Sequence, residues 1–431
     1  MIIVDTALKK REAEGRPIQV GIVGAGYMGR GMALTIEKAI PGMRVGAIYN
    51  RSPEKAKLAL EQCGIDDIRE AKTPADIDAA IEKNQYVYCS DASLLCEAGN
   101  IDAIVEATGE VEFGAQISLK AIENGKHLIL MNAELDAVVG PILKLYADRA
   151  GVVVTNVDGD QPGVVMNLFR WVETIGYRPV LAGNIKGLQD HYRTPETQKG
   201  FAEAHKQGVK MITSFADGTK ISMEMAVVAN ATGFGVSVRG MKGPMCTHVT
   251  EAINSFTEDE LSGGGIVDFI LGAEPGPGVF VIGYNDEPVL RQYANYLKMG
   301  DGPYYTFYVP YHLPHLESPL TVARAVLFSD AATSPLGAPV ADVVTVAKTG
   351  LKAGEVLDGI GGFHCYGMVD NIDVAREGNL VPMSLIEGCT LKKDIAKDVA
   401  ISYADLDFPA DRVCDRLRRE QDQHFFGEAI A

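Results

Sequence analysis

Ile18-Gln19-Val20-Gly21-Ile22-Val23-Gly24-Ala25-Gly26-Tyr27-Met28-Gly29 is an apolar run that feeds a G-x-G-x-x-G turn, and the turn opens a helix-like segment, GRGMALTIEKAI. Each glycine has its own task. Gly24 permits the tight turn, Gly26 leaves room for a pyrophosphate, and Gly29 lets the helix lie close to the strand. The helix start, with Tyr27 and Met28 in its first turn, offers free N–H groups and a partial positive charge to phosphate oxygens. Strand, turn and helix in this order predict a dinucleotide site.

Strand–helix alternation continues on the carboxyl side. Residues 45–49 form a second apolar run ending in Asn50-Arg51-Ser52-Pro53, and residues 54–62 are helix-like. Residues 101–106 end in Ala107-Thr108-Gly109; 113–124 and 141–150 read as helices, 126–131 and 152–155 as strands. The pattern predicts an α/β protein that begins with a doubly wound Rossmann sheet over residues 1–160. The end of the second strand discriminates between nicotinamide cofactors, because an acidic side chain there would hold the ribose 2′-OH. Asn50, Arg51 and Ser52 instead offer an amide, a guanidinium and a hydroxyl, a set suited to a 2′-phosphate, which favours NADP(H). Ala107, Thr108 and Gly109 are expected to line the nicotinamide half.

Beyond Asp160 the alternation is less regular and glycine is frequent. Extended runs at 280–284 and 304–309 predict a mixed or antiparallel sheet in a central α+β domain, catalytic and oligomer-forming, over 161–335. The break AATSPLGAP at 331–339 precedes a short-stranded, glycine-punctuated β-rich domain over 340–410. Residues 411–431 read as a charged, helical, solvated tail.

Hydride transfer needs a proton donor or acceptor near the reacting carbon and polar groups that hold the substrate oxygens. Lys186, in Gly183-Asn184-Ile185-Lys186-Gly187, is the preferred proton-transfer residue, and Asp190, His191 and Arg193 follow it as candidate substrate ligands. Glu134, in Asn132-Ala133-Glu134-Leu135-Asp136, and Asp160, in Asp158-Gly159-Asp160, are candidate catalytic carboxylates and candidate ligands of a divalent ion. Asp158-Gly159-Asp160 is equally the composition of a plain turn, and Asp136 that of a helix cap. Asp217 and Lys220 stand at one end of an apolar helix-like segment, 221–229, and join the substrate-binding set. His312-x-x-His315-x-Glu317 has metal-like spacing, but prolines at 310, 314 and 319 argue against the helix such spacing uses.

Composition excludes several classes. With 40 basic against 57 acidic residues the net charge is −17, which repels phosphate backbones and anionic lipid, so neither nucleic acid nor membrane is an expected partner. The seven scattered cysteines have no paired spacing and read as reduced thiols. The charged amino terminus lacks a secretory apolar region, so the expected address is cytoplasmic. A small-molecule substrate and a homodimer or homotetramer are expected.

The motifs VGIVGAGYMGRG, VEATGEVEFGA, KHLILMNAELD, VDGDQPG, GNIKGL and DGTKISMEMAVVANATG together resemble the homoserine-dehydrogenase-like oxidoreductases that end in an SAF domain. The stretches AKTGLKAGEVLDGIGG and EGCTLKKDIAKDVAISYADLD are similar to the β-clip SAF module itself. The resemblance covers nearly the whole chain. One branch of that group, the 1-deoxy-D-xylulose 5-phosphate reductoisomerase-like enzymes, implies NADPH, magnesium or manganese, a phosphorylated substrate and a place in isoprenoid precursor synthesis. In that branch Asp160, Glu134 and Lys186 would stand at the vicinal oxygens, and Arg193, His191 and Lys220 at the phosphate. Glu134, where homoserine dehydrogenases commonly carry lysine, weighs against ordinary homoserine oxidation. The sequence leaves open a homoserine, sugar-acid or hydroxy-acid dehydrogenase, and an NADP(H)-sensing protein without turnover.

Overall fold

The computed structural model describes residues 3–427, and the chain divides into two units. Unit one comprises residues 1–160 and 313–334; unit two comprises 161–312 and 335–431.

Unit one is built on a seven-stranded, all-parallel sheet in the order β3-β4-β2-β1-β5-β6-β7. Its strands are β1 (Ile18–Val23), β2 (Met43–Tyr49), β3 (Ile68–Glu70), β4 (Tyr86–Cys89), β5 (Ala103–Glu106), β6 (His127–Leu130) and β7 (Val154–Asn156). The order reverses between β1 and β5, which opens a crevice at the carboxyl ends of these two strands, the usual ligand position in such sheets. Near-continuous apolar strands suit a sheet covered on both faces, and Val20, Ile22, Ile104, Val105, Leu128 and Ile129 are fully buried.

The sequence places a helix at 141–150, whereas the observed helix runs from Ala133 to Ala150 with Pro141 inside it. Asn132 supplies the start, its Oδ1 accepting from the Leu135 N–H at 3.1 Å. Residues 313–334, within the range the sequence reading gives to the central domain, pack with unit one. Their helix, Pro314–Phe328, forms with Pro314 in the first turn, where an N–H has no helical partner anyway, and with Pro319 inside it. It buries Val322, Ala323 and Ala325 in the Rossmann core, and Arg324 donates to both Asp158 oxygens at 3.1 and 3.3 Å.

Unit two holds a four-stranded mixed sheet in the order β11-β10-β8-β9. Here β8 (Arg178–Lys186) runs parallel to β9 (Ile266–Leu271), while β10 (Gly278–Tyr284) is antiparallel to β8 and to β11 (Tyr304–Val309). The carboxyl-terminal part adds two small antiparallel pairs, β12 (Ala341–Ala347) with β13 (Cys365–Asn371) and β14 (Thr390–Leu391) with β15 (Leu406–Asp407). The tail is not a solvated helix as read from its charges. The helix Val413–Phe426 buries Cys414, Leu417, Arg418 and Gln421, one face at helical spacing, and Arg418 pairs with Asp342 at 2.7 Å. Residues 428–431 of that tail lie outside the described residues.

All seven cysteines are buried free thiols, and among the described residues no helix is long and apolar enough to cross a membrane.

Candidate active site

In unit one the glycine turn has the shape a pyrophosphate needs. Gly24 adopts φ +112°, and a Cβ there would stand 2.8 Å from the Ala107 carbonyl. A Cβ on Gly29 would come within 1.9 Å of the Gly24 carbonyl, so helix and strand can approach only without a side chain. A Cβ on Gly26 meets nothing within 4 Å: Gly26 faces open space. No side chain caps the helix Tyr27–Ala39 that begins there, which leaves its first N–H groups for a ligand. A cradle of this form fits a dinucleotide pyrophosphate. Behind it, a Cβ on Gly31 would press on the His315 ring at 2.8 Å, and the rings of His315 and Tyr27 meet edge to face at 6.1 Å.

Asn50 is tied into the glycine loop. Its Oδ1 accepts from the Ala25 N–H at 3.0 Å and its Nδ2 donates to the Ser52 carbonyl at 3.1 Å, so the amide braces the glycine loop. Arg51 is exposed and makes no hydrogen bond or ion pair among the described residues. Ser52 precedes the helix Pro53–Gln62 without capping it by its side chain. Between the ends of β2 and β4 on one side and the helix Val111–Glu123 on the other, a cleft of about 310 Å³ is lined by Tyr49, Ser90, Asp91, Phe113, Gln116 and Lys120, among others.

At the end of β5, Thr108 is tied to Glu106, whose carboxylate also takes the Asn132 amide at 2.6 Å. Burial pushes the Glu106 carboxyl up to about 7 against the pull of these donors. Gly109, with φ +71°, completes the turn that carries Ala107 and Thr108. Glu134 is buried in the first turn of its helix, and Asp136 accepts from Asn156 Nδ2 at 3.2 Å while burial pushes it up to about 7. Gly159 explains the Asp158-Gly159-Asp160 turn: φ is +81°, and a Cβ would stand 2.6 Å from the Leu313 carbonyl. Asp160 is buried beside it. No group of three or more His, Cys, Asp or Glu side chains forms a metal site among the described residues. His312, His315 and Glu317 therefore do not come together as such a site.

In unit two the last residue of β8 is Lys186, whose ammonium donates to Gln161 Oε1 and to Glu224 Oε2, the latter at 3.2 Å. Asn184, two residues earlier on the same strand face, donates to the same two oxygens at 3.0 and 3.2 Å. An ammonium has three N–H donors, so Lys186 keeps one beyond these two acceptors, and its side chain retains 23% of its exposure. Gln161, Asn184 and Glu224 are buried. Sequence reasoning missed Glu224; the available signal was one carboxylate within the otherwise apolar run ISMEMAVVANA of the helix Thr219–Thr232.

The segment after Lys186 is held by the carboxyl-terminal strands. His191 stacks on Tyr366 with ring centroids 4.5 Å apart, and Tyr192 and Tyr366 both donate to Asp398. Arg193 pairs with Asp190 at 3.0 Å. Buried Lys348 donates to Asp217 at 2.9 Å and to the Arg193 and Gly362 carbonyls at 2.7 and 2.9 Å. Asp217 also accepts from the Thr219 N–H at 2.9 Å, so its carboxylate is committed to the scaffold. Lys220 lies buried one residue further along that helix. Of the five expected substrate ligands, Asp190, His191, Arg193 and Asp217 therefore form one interlocked support, distinct from the Lys186 cluster.

Two stretches of the chain match known protein families. Residues 18–130 match a family model described as an oxidoreductase family with an NAD-binding Rossmann fold, and residues 159–318 match the catalytic domain of oxidoreductase DRL. Both of these models describe oxidoreductases. Homoserine dehydrogenase from Neisseria gonorrhoeae is 24% identical over 212 residues, covering 47% of this chain and 44% of its own. The Pseudomonas aeruginosa homoserine dehydrogenase is 26% identical over 265 residues, covering 57% and 54%. The chain thus spans about half the length of these curated relatives. Among solved structures, a probable dehydrogenase from Thermotoga maritima has a TM-score of 0.43 at 12% identity, covering 74% of this chain and 91% of that one. Myo-inositol dehydrogenase from Lactobacillus casei, in complex with NAD(H) and myo-inositol, has a TM-score of 0.38 at 14% identity, covering 68% and 74%.

Proposed function

We propose that the chain transfers a hydride between NADP(H) and a small hydroxylated carbonyl compound, with Lys186 exchanging the accompanying proton. The observation that carries this reading is the Lys186 ammonium, oriented by Gln161 and Glu224 with one donor left over. When bound, the nicotinamide would supply the hydride that reduces the carbonyl carbon. Lys186 donates a hydrogen bond to the carbonyl oxygen, stabilises its developing negative charge and hands over the proton, giving the alcohol. Glu224 and Gln161 then orient the neutral amine to take a proton from solvent. In the oxidising direction the neutral amine of Lys186 is the base.

The uncapped helix at Gly26 would hold the pyrophosphate, and exposed Arg51 would hold the 2′-phosphate that distinguishes NADP(H). The cleft at Tyr49, Ser90 and Lys120 would take the adenosine end. For the substrate, the narrowest form of the reading is 1-deoxy-D-xylulose 5-phosphate, rearranged and then reduced, as the sequence resemblance implies. The carboxyl-terminal strands are read as the SAF-like module, acting as the support that holds residues 190–193. The protein works in the cytoplasm.

NADPH oxidation followed at the nicotinamide absorbance tests the reading. The arms are 1-deoxy-D-xylulose 5-phosphate with magnesium, with manganese and with EDTA, then homoserine with NADP, then a panel of sugar acids and hydroxy acids. Turnover with any of them that disappears in Lys186→Met supports the proposal. Turnover that survives in Lys186→Met removes Lys186 from the chemistry.

A further inference from the structure

The helix Pro288–Tyr296, which connects β10 to β11 in unit two, turns its apolar side toward solvent. At about 100° per residue, Val289, Leu290, Tyr293, Tyr296 and the adjoining Leu297 fall within an arc of about 120° centred on Tyr293. All five are exposed, by between 44% and 79%, and Ala294 is the one buried hydrophobic residue of the helix. The stripe carries no charge. Arg291 lies on the far side, where both its Nε and an Nη donate to the Asp301 carbonyl at 3.0 and 2.9 Å, and Asn295 bonds to the Asp301 side chain. Directly after this helix comes β11, an edge strand that pairs only with β10 among the described residues, and Tyr308 and Tyr311 beside it are exposed as well.

We propose that this stripe is where two copies of the chain pair, helix Pro288–Tyr296 against its two-fold mate. Three observations select a second copy as the occupant. Net charge −17 sets copies of the chain against each other in general, and this neutral stripe is a surface on which that repulsion is least. It is centred on one residue, Tyr293, so a two-fold axis there brings like residues together and the patch complements itself. Its area is sufficient: from the exposed fractions, the five side chains offer on the order of 600 Å² per copy, or about 1,200 Å² in a pair, the lower bound of stable interfaces. Tyr308 and Tyr311 add to that area. Aromatic enrichment with charge depletion is also the composition of an interface centre. A membrane surface fits less well, since no free basic side chain lies on the stripe.

Light scattering coupled to size exclusion, at micromolar concentration of the full chain, reads the result. Wild type is expected at an even multiple of the chain mass, and Tyr293→Glu and Tyr296→Glu at half the wild-type mass, with unchanged circular dichroism and NADPH binding. Phe201→Glu, an exposed aromatic on another helix, is expected to keep the wild-type mass. Should a glutamate variant fail to fold, Tyr293→Cys gives a second reading. Under mild oxidant it should form an intermolecular disulfide, and Phe201→Cys should not; the seven native cysteines are buried and do not compete. A monomeric wild type, an unchanged mass in both glutamate variants, or absence of the Tyr293→Cys crosslink overturns the proposal. So does a monomer that sediments with phosphatidylcholine vesicles through Tyr293, which assigns the stripe to lipid.

Discussion

Lys186 Nζ and Glu224 Oε2 stand 3.2 Å apart, a cation at the end of a strand against a carboxylate buried in the middle of an apolar helix. Burying a carboxylate is costly unless it is paired, so a helix that keeps Glu224 among Met223, Met225 and Ala226 does so for its partner. Glu224→Gln keeps the shape and removes the charge. It is expected to lower kcat roughly 10- to 100-fold, as loss of a group that supports acid–base chemistry does, with NADPH affinity unchanged. Glu224→Asp should recover part of the loss. Equal damage to KM and to thermal stability without a kcat effect would make the pair a structural feature only.

The glycine turn separates a packing role from a ligand role. Gly26→Val meets open space, so thermal stability should hold while dinucleotide Kd rises at least tenfold. Gly29→Ala collides with the Gly24 carbonyl and should lower Tm as well as cofactor affinity. Differential scanning fluorimetry with and without NADPH distinguishes the two.

Arg51 and Asn50 should likewise come apart. Arg51→Ala is expected to weaken NADPH and leave NADH nearly unaffected, because only the former carries the 2′-phosphate. Asn50→Ala should weaken both, since it releases the Ala25 N–H from its 3.0 Å bond and loosens the loop. Titration of tryptophan or nicotinamide fluorescence reads all four affinities.

Asp136 makes stability depend on pH. Burial raises its carboxyl in the folded chain from the ordinary 3.8 to about 7, so the folded state holds a proton that the unfolded state releases. Its contribution is complete below about 4 and is lost as the pH rises to about 7. Asp136→Asn removes that dependence, so Tm measured from pH 5 to 8 should fall less steeply in the variant than in wild type. Parallel curves would place the titration elsewhere.

Lys348→Met leaves Asp217 buried without its cation, and removal of one partner from a buried pair costs about 3–5 kcal/mol. Urea unfolding should show that loss, and Lys348→Arg should recover little because the site accepts a point donor to one carboxylate and two carbonyls.

The Rossmann half was legible because local pattern and tertiary role coincide there: the strand, glycine turn and helix at 18–39 each carry their own signal. Helix limits were less legible. Pro141 and Pro314 look like helix starts or breaks, yet a cap at Asn132 moves the first helix eight residues earlier, and Pro314 begins a helix that returns to the first unit. That return depends on Arg324 meeting Asp158, far apart in sequence, and no local pattern announces it. The same holds for the site. Lys186 stood out in a glycine-flanked run dense with ionisable groups, whereas Glu224 drew no notice within the apolar helix-like segment 221–229 until β8 was placed beside it. The polar residues 190–193 drew attention by density, and the structure commits most of them to the strands at 341–371.

Turnover of wild type and Lys186→Met, measured beside NADPH affinity on the same preparations, tests the proton-transfer role most directly. With a substrate found in the panel above, kcat is predicted to fall roughly 10²- to 10⁴-fold in the variant, with NADPH Kd within twofold of wild type. Turnover within tenfold of wild type would contradict that role and move it away from the Lys186–Glu224 pair.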